Sequence, residues 1–135
     1  VKYGLQDATL NTALALPNGA ATTTSAAIDL QNGTHGDFVA PVQFTLTVPA
    51  VTTSMLPDAG TITYDIYTSP NSDLSGSTKI ISGLIVQTGA GGAGAAGASA
   101  DFRVPTSVGR YLFYKAVKSG TGNASTVSAT LNPAV

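Results

Sequence analysis

The chain has 135 residues, six basic and seven acidic side chains, a formal net charge of −1 and no cysteine. That length suits one domain with a sizeable core, and the absence of cysteine excludes a disulfide framework and thiolate metal sites. Charged residues make up only 10% of the chain, so the basic footprint of a nucleic-acid binder is missing.

Every acidic residue is Asp, while Thr, Ser, Val and Ile are abundant, as a pleated sheet prefers. No run approaches the ~18 apolar residues of a membrane span. The apolar run 13–16 is too short for the core of a signal peptide.

Residues 1–27 show no sustained periodicity. Leu5, Leu10, Leu14 and Leu16 are scattered among Asn, Thr and Ala, and Asn18-Gly19 marks a turn. The stretch reads as an extended arm that needs a surface to lie on, or equally as an edge strand with disordered residues. A short strand is expected at 26–30, then a loop at 32–37. Residues 39–48 give the clearest strand: Val42, Phe44, Leu46 and Val48 alternate with Gln43, Thr45 and Thr47, one buried face and one wet. Residues 61–68 follow, with Ile62, Tyr64 and Ile66 opposite Thr63, Asp65 and Tyr67. In 79–88, Ile80, Leu84 and Val86 are expected on one face and Ile81 and Ile85 on the other.

The Gly/Ala run 89–98 reads as a flexible connection, or as a backbone that must pack closely against another chain. The stretch 100–120 holds four of the nine aromatics and four of the six basic residues. It reads as a hairpin, with Phe102 and Val104 in its first strand. In its second strand Tyr111, Phe113, Lys115 and Val117 share one face, with Leu112, Tyr114 and Ala116 on the other. Residues 124–131 make a last strand. About seven short strands with regular turn signals predict an all-β, single-domain antiparallel β-sandwich or jelly roll.

Little in the sequence carries chemistry. His35 and Asp37, with Asp29 near in sequence, make half a metal site at most, and an exposed loop histidine is the plainer reading. There is no Gly-x-Ser-x-Gly elbow, no EF-hand loop and no phosphate-binding glycine motif. Asp58 and Asp65 are expected as solvated carboxylates. The chain therefore reads as no enzyme, with no cofactor and no metal. Basic residues around 103–118 suit an acidic partner surface, or ordinary wet-face charges that keep strands from mispairing.

Several pieces in order resemble the cement, or decoration, proteins of tailed-bacteriophage capsids, of the jelly-roll kind known from a short-tailed Bordetella phage. These are Ile28-Asp29-Leu30, the Ser/Asp-rich loop 68–77, Phe102-Arg103-Val104-Pro105, Arg110-Tyr111-Leu112 and the closing strand 125–131. The Gly/Ala run departs from the pattern. The resemblance implies a structural virion protein on the outer capsid surface, made in the host cytoplasm, that bridges major capsid protein subunits. It implies an N-terminal arm (1–25) ahead of a jelly-roll domain (26–135) with a flexible loop at 88–99. It also implies self-association as a dimer or trimer, without nucleic acid or membrane.

The contacts expected on that basis are Lys2, Tyr3, Leu5, Leu10, Leu14 and Leu16 of the arm, with Arg103, Arg110, Tyr111 and Lys115. The competing expectation is a carbohydrate- or receptor-binding module, such as a phage fibre domain or bacterial adhesin, in which Tyr67 and Tyr111 stack on sugar rings.

Overall fold

The computed structural model describes residues 12–29, 42–104 and 110–133. Nine strands occupy them: β1 (Thr12–Ala15), β2 (Thr22–Thr24), β3 (Ile28–Asp29), β4 (Val42–Val48), β5 (Thr61–Ser69), β6 (Thr78–Thr88), β7 (Ala98–Val104), β8 (Tyr111–Lys118) and β9 (Ser128–Pro133). They form two antiparallel sheets, β1-β9-β4-β7 and β2-β8-β5-β6, with β3 also paired to β8. The pairs are nested: β5 with β6, β4 with β7, β2 and β3 with β8, β1 with β9. A long hairpin rolled up in this way is a jelly roll.

The alternation read in β4 places Phe44, Leu46 and Val48 inward, and all three are buried. Phe44 stacks on its register partner Phe102, ring centroids 6.0 Å apart. From the other sheet come Ile62, Tyr64, Ile66, Leu112, Tyr114 and Ala116. Buried phenols need partners. Tyr114 spans the sandwich and donates to the Ala129 carbonyl at 3.1 Å. Tyr64 donates to Gln87 Oε1, whose amide donates in turn to the carbonyls of Pro49 and Ala96. Lys118 also points inward. Its ammonium donates to the Thr121 carbonyl at 2.6 Å, and burial holds its pKa below the ordinary lysine range.

Three expectations need correction. Of the two readings of the first stretch, the described part follows the edge strand rather than the arm: β1 and β2 form one edge of each sheet, and Leu14 and Leu16 are buried in the core. Leu14 and Leu16 are therefore core residues rather than partner contacts. Second, β7 and β8 are not a hairpin. β7 pairs with β4 and β8 pairs with β5, so the chain crosses between sheets at that point. Third, the Gly/Ala run lies against this chain's own 49–60 loop, with Val51 and Ala95 exchanging backbone hydrogen bonds. Its composition has a steric reason. Gly94 has φ +69°, and a Cβ there would overlap the Val51 carbonyl oxygen.

Candidate functional site

The outer face of the second sheet gathers the unusual side chains. Along β8 the alternation sends Leu112, Tyr114 and Ala116 into the core and Tyr111, Phe113, Lys115 and Val117 outward. Register then decides what stands beside them. Tyr67 of β5 lies opposite Phe113, Asp65 opposite Lys115, and Thr63 opposite Val117. On the far side of β5, Lys79 of β6 lies opposite Tyr67 and Val86 opposite Thr63.

Tyr67 and Phe113 stack with centroids 5.3 Å apart and planes 16° from parallel. Phe113 is 1% exposed although it belongs to the outer face. The Lys115 ammonium lies 4.6 Å from the Tyr67 centroid, and that of Lys79 lies 5.7 Å away. Such cations are held by the ring quadrupole. At the end of the strand, the Arg110 guanidinium lies 5.4 Å over the Tyr111 ring and makes two parallel bonds to Asp29, of 2.7 and 2.8 Å. Those bonds hold the Arg110 pKa above its ordinary range. The fork geometry ties β3 to the start of β8.

Asp65 is not the solvated carboxylate expected from its alternation; it is 5% exposed. A bulge in β6 explains this. The register slips between Tyr64 and Tyr67, and the Gly83 N–H turns to donate to Asp65 Oδ1 at 2.7 Å. Asp65 Oδ2 meets Lys79 at 3.4 Å and raises the lysine's pKa. Both carboxylate oxygens are thus engaged away from Lys115, which stands directly opposite. Lys115 makes no ion pair among the described residues. The same slip separates Val86, 54% exposed, from Ile80 and Leu84, which pack against the core. Val86 and Val117 are the exposed large hydrophobic residues among those described, and they flank Thr63 in one row.

No protein-family model, curated protein or solved structure matches this chain. The site therefore stands on its own geometry. Of the contacts expected from the sequence, the structure brings together Arg110, Tyr111 and Lys115. Arg103 lies on β7 in the opposite sheet, exposed. Lys2, Tyr3, Leu5 and Leu10 lie outside the described residues, as do His35 and Asp37. Among the described residues no group of three or more His, Cys, Asp or Glu side chains comes together. Lys79, Asp65 and Val86 were not among the contacts expected from the sequence. Strand alternation could place each on a face, but no local signal sets the register that joins them to β8.

An open hollow of about 620 Å³ lies between residues 50–53 and 92–96. Its walls are Ala, Gly, Thr and Val, with no ionisable group.

Proposed function

We propose that this chain is a structural virion protein that binds the outer surface of an icosahedral phage capsid and bridges neighbouring major capsid protein subunits. The observation that carries the proposal is one-sidedness. A jelly roll with two exposed valines, half-buried tyrosines and lysines on one outer face is built to lie flat against something. The sequence resemblance to capsid decoration proteins supplies what that something is.

The mechanism is linkage. A protein that binds the assembled shell and not its separated subunits stabilises the shell, by about 2.7 kcal/mol per site at a hundredfold excess over Kd. Many symmetric copies, self-associated as dimers or trimers, multiply the effect. The carbohydrate-binding reading is less favoured, because sugar stacking needs an open ring face. Tyr67 is stacked on Phe113 with Lys115 over its ring, and Tyr111 has Arg110 over its own.

Co-sedimentation with expanded and unexpanded shells tests the proposal. Saturable binding to expanded shells is expected, with a rise in shell melting temperature. Absence of binding to either shell would overturn it.

A further inference from the structure

We infer that, on the shell-binding reading, the outer face of β8, β5 and β6 is the contact surface, and that it meets an acidic protein surface with apolar side chains among the carboxylates. Three features point to an acidic partner. First, the chain is net negative, yet three of its six cationic residues lie on this one face: Lys79 and Lys115, and Arg110, which is paired with Asp29 at its end. Second, the ion pair on β5 and β6 is tilted. The Lys79 side chain is 41% exposed and the Asp65 side chain 7%, so a partner meets the ammonium and not the carboxylate. Third, Lys115 makes no ion pair among the described residues, because both Asp65 oxygens are taken by Gly83 and Lys79. A lysine resting on an aromatic ring can swing to a carboxylate while the ring keeps its apolar contact.

The apolar part of the partner follows from the next row. Val117 and Val86 stand on either side of Thr63, roughly 10 Å apart at two interstrand spacings. From Val117 to Tyr111 the face runs roughly 20 Å along β8. Such a patch is smaller than the ~800 Å² per partner of a stable pairwise interface. A single contact of this kind is weak, and tight binding requires many copies on one shell. Interfacial charges of this sort set encounter rate and register more than affinity, so the contact weakens with salt.

The test is co-sedimentation with expanded shells at low and high salt. It compares the natural chain with Lys115→Glu, Lys115→Gln and Arg103→Glu, each verified as folded by circular dichroism. A parallel arm titrates the free chain with poly-glutamate and follows backbone amide shifts. Lys115→Glu is expected to lower shell affinity more than about tenfold. Lys115→Gln should lower it less, and Arg103→Glu, the same charge change on the other sheet, should leave it within about twofold. Poly-glutamate should shift amides of β8, β5 and β6 and lose the effect in Lys115→Glu.

Shell binding indifferent to position 115 would overturn the inference and leave the shell-binding reading standing. Equal losses in Lys115→Glu and Arg103→Glu would overturn it too, as an effect of net charge alone. No shell binding, with localised poly-glutamate shifts, would sink the shell reading and keep the acidic-partner surface. Failure of both arms would overturn both.

Discussion

The two outer faces of the sandwich are built on the same core and by the same alternation, yet they differ in kind. On the β1-β9-β4-β7 sheet the outward residues are mostly short and polar, with Gln43 and the exposed Arg103 as the long ones. Ala13, Thr130, Thr47 and Ser99 fall in one row, and Asn132, Thr45 and Asp101 in the next. Their groups satisfy one another: Asp101 accepts from Thr45 Oγ1 at 2.6 Å and from Gln43 Nε2 at 3.2 Å. On the β2-β8-β5-β6 sheet threonines alternate with large outward residues, and Lys115 among them makes no ion pair among the described residues. Exposed valine and a cation resting on a ring gain more from a partner than from water. A face whose polar groups are paired internally has less to gain. One fold thus carries a face suited to solvent and a face suited to contact.

The comparison breaks most readily at Phe113. Its ring is buried on the outer side of β8, so Phe113→Ala should cost about 3–5 kcal/mol. Thr47→Ala, exposed on the polar face, should cost under about 1 kcal/mol. Urea unfolding of both variants checks this; similar losses would mean that the two faces contribute alike to stability.

A smaller effect concerns the ties beneath the faces. Tyr114→Phe removes the bond to Ala129 and should cost about 1 kcal/mol. The pH dependence follows from the same groups. Burial pushes the phenols of Tyr64 and Tyr114 well above the ordinary value of 10.0. The unfolded chain releases those protons first, so their stabilising contribution is full below about pH 10 and is lost as the pH rises beyond it. Tyrosinate absorbance should therefore show these two phenols ionising only together with unfolding. Smooth titration in the folded state would contradict their burial.

The smallest effect is on the contact face itself. Val86→Thr with Val117→Thr should leave stability within about 0.5 kcal/mol. The same pair should weaken shell binding several-fold, as measured by sedimentation.

Much of this was legible in the sequence where a strand has a strong alternating pattern. In β4 from Gln43 onward and in β8, inward and outward residues follow from period 2. The signal fails where residues are small: β1 and β2 consist of Thr, Ala and one leucine, Leu14, and look like irregular chain until their partners β9 and β8 are present. It fails also where tertiary order overrides nearness in sequence, as in the crossing from β7 to β8. Side-chain bonding hides other features. Ser25 separates β2 from β3 by offering its hydroxyl to the Tyr114 N–H at 3.0 Å, and one extra residue bulges there. The contact face was half legible for the same reasons. Tyr111, Phe113 and Lys115 follow from β8 alone, whereas Lys79 and Val86 join them only through the bulge at Gly83.

Amine footprinting of the lysines, with and without expanded shells, tests the central claim most directly. Lys79 and Lys115 should label in the free protein and be protected on the shell, while Lys118, 3% exposed, should stay unreactive in both states. Lys79 and Lys115 labelling equally on and off a shell that the protein demonstrably binds would contradict the account.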